Sequence, residues 1–287
     1  MPGARIVITG ASGLVGARLL DLAHREGRST WPAPDAVARE RLGLDDPAAA
    51  ARGLDALRPA AVIHAAAITS IAAAEADPER ARRVNVEATA ALAEVAARRG
   101  IPFVFLSTDQ VWDGRRAPYA SDDPPAPLSG YGRGKADAEA AVLAAGPRTA
   151  VLRLALVFGR SPDGRRSASE MILRAAEEGR TLDLFEDEFR QPVSVERVAR
   201  VALLALERDF RGRLAVGGPE GLSRLDFGRR VAAAAGLDPA FIRPASLAAR
   251  TFTPPRPPDL RLDLSDLFGL AGEDEPLDEA LRREHAL

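Results

Sequence analysis

The chain has 287 residues, 46% of them hydrophobic, with 39 lysines and arginines against 41 aspartates and glutamates. The length suits one main domain with a smaller attached lobe, and a formal charge of −2 gives no reason to expect nucleic acid or an anionic membrane as partner. Cysteine is absent and the three histidines are scattered, which excludes a disulfide framework, a cysteine nucleophile and most transition-metal sites, so no metal is expected.

No apolar run approaches the ~20 residues needed to span a bilayer. The N-terminal "MPGARIVITG" reads as neither a signal nor a transit peptide, and the expectation is a soluble cytoplasmic protein. The first half alternates short apolar runs with helical stripes. Arg5–Thr9 is predicted as a buried strand and Gly13–Arg25 as a helix. From Gly27 to Asp46 the pattern weakens: "GRSTWPAP" has room for a short second strand cut off by Pro32 and Pro34, and "ERLGL" for a third. A helix over Pro47–Leu57, a fourth strand over Ala61–His64 and a long helix over Pro78–Arg99 follow. That helix ends on Arg98-Arg99-Gly100, cations and then glycine, with Pro102 beyond. Phe103–Ser107 and Ala150–Leu154 are predicted strands on either side of a helix over Tyr131–Ala144.

Strand–helix alternation of this kind predicts an α/β fold, a Rossmann-type doubly wound parallel sheet with right-handed crossovers. After about residue 157 the loops lengthen, and the helices Ala168–Glu178 and Ser194–Glu207 are joined by polar turns. The expected division is a dinucleotide-binding domain over 1–157 with a returning segment 188–206, and a substrate lobe over 158–187 and 207–287. Pro254–Pro258 reads as an ordered loop, because "LRLDLSDLFGL" follows with apolar periodicity.

"VITGASGLVG" carries Gly10, Gly13 and Gly16 between the first strand and the first helix. Glycine permits a tight turn and a close approach of backbone N–H groups to a pyrophosphate, over the positive end of the helix dipole. A plain βα turn would use the same residues, but their position favours a dinucleotide. No acidic residue follows until Asp35, and Arg28 or Arg39 could face a 2′-phosphate. NADP(H) is therefore favoured, with NAD(H) the other option; solvated surface arginines explain both residues as well.

"LSTDQVWDG" passes abruptly from core strand to polar side chains at Ser107, Thr108, Asp109 and Gln110. "YGRGK" then places Tyr131 and Lys135 one helical turn apart on one face. A phenol titrates near pH 10, and a neighbouring ammonium is expected to lower that value, making the tyrosine a proton donor to a carbonyl that receives hydride. An exposed helix pair is the usual meaning of such spacing; here the pair follows the polar strand end by one element, so a parallel sheet brings the two together. Ser107 and Thr108 are expected on the nicotinamide side. Asp109 has a loop-capping reading beside its substrate-binding one.

Together "TGASGLVG", "VIHAAAIT", "RRVNVEATAALAEVA", "LSTDQVWDG" and "YGRGKADAE" resemble the extended short-chain dehydrogenase/reductases, and among them the dTDP-4-dehydrorhamnose reductase family. "EDEFRQPVSVERVAR" and "RPPDLRLDLSDLFGL" extend the likeness over nearly the whole chain. The resemblance implies NAD(P)H-dependent reduction of the 4-keto group of a nucleotide-linked deoxysugar. It puts Thr108, Tyr131 and Lys135 in the catalytic positions, and Gly10, Gly13, Leu14, Val15 and Gly16 on the pyrophosphate turn. It puts Ala65, Ala66 and Ala67 against the cofactor, and Ser107 and Lys135 beside the nicotinamide ribose.

Three substrate-pocket positions depart from the family: Gln110 stands for a tyrosine, Ser129 for an asparagine, and Thr69-Ser70-Ile71-Ala72 lacks the family's acidic residue. Hydride chemistry is thus better supported than the identity of the sugar. A cofactor-binding regulatory subunit, like the β-subunit of methionine adenosyltransferase, and an epimerase or dehydratase with retained NAD are the alternatives. Arg190, Arg256 and Arg261 could pair with a diphosphate, or equally with surface acids. Glu186, Asp187 and Glu188 read as a solvated turn ahead of a Mg²⁺-diphosphate site. Asn85 reads as a structural hydrogen bonder, His64 as a packed strand-end residue, and His24 and His285 as helix-surface residues. The oligomeric state, a homodimer included, is left open.

Overall fold

Side chains of the first strand, β1 (Ile6–Thr9), alternate between two apolar layers, as a strand covered on both faces must. Ile6 and Ile8 enter one cluster and Val7 the other. The computed structural model describes residues 6–25, 34–37, 42–273 and 275–285. The same alternation continues in β3 (Ala61–His64), β4 (Phe103–Thr108) and β5 (Thr149–Leu154). With β2 (Pro34–Val37) and β10 (Gly212–Val216) these make a six-stranded parallel sheet in the order β10-β5-β4-β3-β1-β2.

One face is covered by the helices Leu14–Arg25 and Val195–Glu207, which supply Leu19, Leu22, Val198, Val201, Ala202 and Leu206. The other is covered by Pro47–Leu57, Ala88–Arg98 and Gly130–Ala145. The predicted doubly wound α/β fold is what forms. The chain reverses direction across the sheet between β1 and β3, the topological switch point where open α/β sheets bind ligands at their C-terminal edge.

Several local expectations need correction. The second strand begins at Pro34, the proline expected to cut it off; as the first residue of an edge strand, proline loses no ladder hydrogen bond. Residues 27–33 of the stretch meant to hold that strand lie outside the described residues, as do Arg5, Arg28 and Arg39. "ERLGL" gives no third strand: beyond Glu40 and Arg41, also outside, the chain turns at Gly43 with φ +58° while Leu42 and Leu44 bury themselves. The long helix expected over Pro78–Arg99 is divided by a π-helical turn, Arg83–Glu87.

Beyond β5 a third apolar cluster gathers Phe158, Ile172, Leu184, Phe227, Val231 and Leu281. Its frame comprises three short pairings: β6 (Val157–Phe158) with β9 (Val193–Ser194), β7 (Leu182–Phe185) with β12 (Ile242–Ala245), and β8 (Phe189–Arg190) with β11 (Leu222–Ser223). The helix Arg224–Ala234 was not anticipated; Leu277–His285, foreseen only as a helix around His285, buries that residue, which was expected on its surface. Among the described residues no helix is long and apolar enough to cross a membrane.

Candidate active site

The glycine turn after β1 is a cradle defined by what it has no room for. Gly10 takes φ +71°, and a Cβ there would stand 2.7 Å from Ala66 N on the loop after β3. A Cβ at Gly16 would lie 2.2 Å from Gly10 O, so the helix can seat this close only without one. Gly13 N–H closes the turn on Gly10 O at 2.9 Å, and Leu14 and Val15 open a twelve-residue helix with no acid in its first turn. An open helix start over a glycine cradle fits the pyrophosphate of a dinucleotide.

The opposite wall, Ala65–Ile68, is held from beneath. Thr89 donates its hydroxyl to Asn85 O (2.9 Å) and so accepts from His64 Nε2 (3.0 Å). His64 Nδ1 is left to accept from Thr9 Oγ1 (2.7 Å), which in turn accepts from Ala66 N–H (3.2 Å). The Asn85 amide completes the clamp, accepting from Ile68 N–H at 2.8 Å and donating to Ile68 O at 3.0 Å. His64 is fully buried, and burial, aided by the charge of Lys135, pushes its pKa down to about 3; it is a neutral link. Asn85 and His64 are thus structural, as expected, and both bear on the cradle. Thr69 is exposed at the loop's outer end.

Strand β4 delivers Thr108 and, one position on, Asp109, both buried. Thr108 Oγ1 caps the 3₁₀ turn Asp109–Val111 by accepting from Gln110 N–H (3.2 Å), and donates to Asp109 Oδ1 (3.3 Å). The half-buried Gln110 donates weakly to the same oxygen (3.4 Å), while Asp109 Oδ2 is buried without a hydrogen-bond partner. Burial raises the Asp109 pKa to about 6, Arg190 opposing.

Helix Gly130–Ala145 starts at Ser129, whose hydroxyl accepts from Gly132 N–H (3.0 Å). The departure from the family's asparagine therefore supplies a cap. Gly132 lets this helix press on the 3₁₀ turn, since a Cβ would meet Gln110 O at 2.3 Å. Tyr131 comes to lie against Thr108 and Asp109. Its pKa is not lowered as expected but raised to about 12, chiefly by burial and further by Asp109, with a hydrogen bond to Thr108 opposing. Lys135 does not act on the phenol because its Nζ donates to Leu106 O at 2.6 Å, over the Phe105 ring at 3.9 Å. Burial lowers Lys135 itself to about 7, against the charge of Glu139.

Ser107 also departs from expectation. Strand alternation turns it away from Thr108, and its hydroxyl donates to Glu139 Oε1 at 2.5 Å beneath the site rather than facing a ribose. Glu139 is paired in a fork with Arg153 (2.7 Å), both fully buried, and Arg153 Nη1 donates on to Ser121 O and Asp123 O. Sequence reasoning missed this pair; a lone Glu on a helix and a lone Arg in a strand carry no signal until the helix packs on the sheet.

From the lobe come three arginines. Arg190 is buried and committed to Glu188 Oε1 (2.6 Å), Phe189 O and Pro257 O. Arg256 bonds both oxygens of Glu188 and lies over Phe185 and Phe252. Arg224, also missed by the sequence reading, belongs to the same cluster: its pKa is lowered to about 10 by burial, opposed by Glu188 and, more weakly, Asp109. Arg261 instead forks onto Asp259. The "solvated turn" is therefore divided: Glu186 is exposed, Asp187 caps Leu247 and Ala248, and Glu188 is a buried counter-ion. Among the described residues no group of His, Asp and Glu could hold a metal.

A cradle for a dinucleotide thus stands beside a protonated phenol, a hydroxyl and a buried amine at one sheet edge. The family model described as RmlD substrate binding domain matches residues 4–281. A probable dTDP-4,6-dihydroxy-2-methyloxan-3-one 4-ketoreductase of Streptomyces antibioticus is 36% identical over 88% of this chain and 84% of its own. The dTDP-4-dehydrorhamnose reductase of Mycobacterium tuberculosis (H37Rv) is 36% identical over 85% of this chain and 80% of its own. In fold, the chain is similar to dTDP-4-dehydrorhamnose reductase of Bacillus anthracis in complex with NADP, with a TM-score of 0.86 over 99% of both chains at 21% identity. By the span of the family match and the identity of these relatives, the chain belongs to the RmlD substrate binding domain family.

Proposed function

We propose that this protein is an NAD(P)H-dependent oxidoreductase that reduces the 4-keto group of a deoxysugar nucleotide, in the manner of a dTDP-4-dehydrorhamnose reductase. The observation that carries the reading is the meeting of Thr108 and Tyr131 at the sheet edge beside the glycine cradle. NADP(H) is preferred to NAD(H) on the strength of the relative solved with NADP. The division into a dinucleotide domain (1–157 with 188–206) and a substrate lobe (158–187 and 207–287) belongs to the same reading with one amendment: the separate third cluster supports a lobe, but β10 lies in the six-stranded sheet and Leu260, Leu262, Leu264 and Leu267 pack into the sheet's own cluster, so these parts of 207–287 go with the dinucleotide domain. So does a cytoplasmic location.

When bound, the reduced nicotinamide supplies hydride to the ketone carbon. Gly10, Gly13, Leu14, Val15 and Gly16 seat its pyrophosphate, and Ala65, Ala66 and Ala67 let it lie close to the sheet. Thr108 orients the carbonyl oxygen. Tyr131, protonated throughout the neutral range with a pKa of about 12, gives that oxygen its proton, so ketone, hydride and proton balance to the alcohol. Lys135 holds the ribose once drawn from Leu106 O and supports the charge left on the phenol. Asp109, Gln110 and Thr69 face the sugar, with Arg190 and Arg256 behind it; the substrate is the partner, and a homodimer is compatible with the reading.

The test is consumption of NADPH with dTDP-4-keto-6-deoxy sugars, read by loss of nicotinamide absorbance and by the alcohol formed. Absence of turnover across such substrates, together with a stoichiometric protein partner, would favour the regulatory reading instead. NAD retained through purification would favour the epimerase or dehydratase.

A further inference from the structure

The helix that carries Tyr131 begins as a poor helix former. Three of its first five residues, Gly130, Gly132 and Gly134, are glycine, which gives up more backbone freedom on entering a helix than any other residue. Close packing demands glycine at 132, against Gln110 O, whereas a Cβ at Gly134 would make an ordinary contact with Val86 at 3.7 Å. A Cβ at Gly130 would stand 2.9 Å from Glu75 Oε1 and 3.4 Å from its carboxyl carbon. Glycine at 130 therefore keeps room for a carboxylate.

That carboxylate comes from the segment that continues the cofactor wall. Beyond Ile68, which the Asn85 amide clamps, Ser70 caps a short helix, Ile71–Ala76, by accepting from Ala73 N–H at 3.2 Å. The short helix lies against Gly130–Ala145, and its Glu75 Oε1 accepts from Gly130 N–H at 2.7 Å, one residue before the phenol. First-turn N–H groups have no partner within their own helix. Ser129 answers the one at Gly132, and Glu75 answers the one at Gly130 with negative charge at the positive end of the helix dipole. A start of low intrinsic propensity is thus held from outside, by a contact that spans 55 residues of sequence.

We propose that Glu75 is a positioning residue for the reaction: its bond to Gly130 N–H fixes the helix start, and with it Tyr131, relative to the Ala65–Ile68 wall of the cofactor cradle. The proposal rests on the reductase reading of the site and deepens it. Tyr131 must meet a carbonyl oxygen whose carbon lies within hydride reach of a cofactor seated on that wall. The separation of the two parts is then a condition on turnover rather than on binding. Glu75 moves no proton itself; it acts through the phenol's place.

Steady-state kinetics with NADPH and dTDP-4-keto-6-deoxy sugars, alongside amide hydrogen exchange, test it on the wild type, Glu75→Ala, Glu75→Gln, Gly130→Ala and the double variant Glu75→Ala/Gly130→Ala. Glu75→Ala lowers kcat about 10-fold, while KM for the sugar nucleotide and NADPH affinity change by less than about twofold. Exchange quickens at Gly130 and Gly132, and the melting temperature stays close to that of the wild type. Glu75→Gln keeps the acceptor and restores most of the rate. Gly130→Ala displaces the carboxylate and lowers kcat to a similar degree, yet melts no earlier than the wild type because alanine is the better helix former. The double variant is no slower than either single one. Unchanged kcat in Glu75→Ala, Glu75→Gln as slow as Glu75→Ala, or additive losses in the double variant overturns the proposal. So does a joint fall in rate, NADPH affinity and melting temperature, which would make Glu75 a framework residue. A wild type that reduces no such sugar sinks the functional reading alone, and exchange then decides the strut: quickened exchange at Gly130 and Gly132 in Glu75→Ala keeps it, and unchanged exchange removes it.

Discussion

Ser107 and Thr108 are neighbours in one strand, yet they face two differently built regions. Behind Ser107 the central groups are all paired: Glu139 accepts from Ser107 and Arg153, and Arg153 donates onward to two carbonyls, with only Arg213 Nε, 3.7 Å from Glu139 Oε2, lacking a hydrogen bond. The His64 chain beside it is complete. In front of Thr108 a buried acceptor is left open, since Asp109 Oδ2 has no hydrogen-bond partner. The difference teaches where to look for chemistry. A saturated buried cluster fixes geometry, whereas an unsaturated one in a cleft is a binding site whose remaining partner is a ligand.

The comparison can be broken at either side. The largest effect is expected behind Ser107: Arg153→Leu leaves the buried Glu139 with only the Ser107 hydroxyl and Arg213 at 3.7 Å, and should cost about 3–5 kcal/mol of stability in chemical denaturation. A loss below about 1 kcal/mol would mean that the pair is no keystone. In front, Tyr131→Phe should lower turnover roughly 10²-fold or more while leaving the denaturation midpoint and NADPH affinity alone; full activity would remove the phenol from the mechanism.

His64→Leu sits between the two, leaving the Thr9 and Thr89 hydroxyls short of a partner. It should cost about 1–3 kcal/mol and weaken NADPH binding, through the loop it holds. The same residue sets a pH response. With a folded pKa of about 3 against an ordinary 6.5, only the unfolded chain takes up its proton in that window, so stability falls as pH drops from about 6.5 towards about 3. Asp109, raised to about 6, works in the opposite sense over the range between its ordinary 3.8 and that value, so the histidine's share is read as the difference between wild type and variant. Identical acid sensitivity in the two proteins would refute a neutral link.

The smallest expected effect is at Lys135. With its pKa near 7, its charge is lost just above neutrality, and affinity for the anionic NADPH should decline by at most about tenfold per pH unit above that point. A flat profile between pH 6 and 9 would detach Lys135 from the cofactor; Lys135→Gln should be flat.

The parts of this arrangement that repeat along the chain were legible in the sequence. The apolar runs of β1, β3, β4 and β5, the striped helices Leu14–Arg25, Pro47–Leu57 and Gly130–Ala145, the three glycines and the Tyr131–Lys135 spacing are local patterns, and these fell close to where predicted. What escaped depends on residues brought together from afar. Glu139 meets Arg153 only when the helix Gly130–Ala145 packs on the sheet beside β5, and the Arg224 backbone meets Glu188 only through β8 and β11. The sign of the Tyr131 shift was misjudged for a related reason: spacing shows that an ammonium is one turn away, but not that it is bonded to Leu106 O. Burial then decides the phenol's titration.

The hydrogen bonds from Ala66 through Thr9, His64 and Thr89 to Asn85 all run in one direction. Turning any one of them round would force its neighbours to turn as well. The wall of the cradle is therefore latched in a single step or not at all, and slow amide exchange at Ala66 and Ile68 should vanish together rather than one after the other.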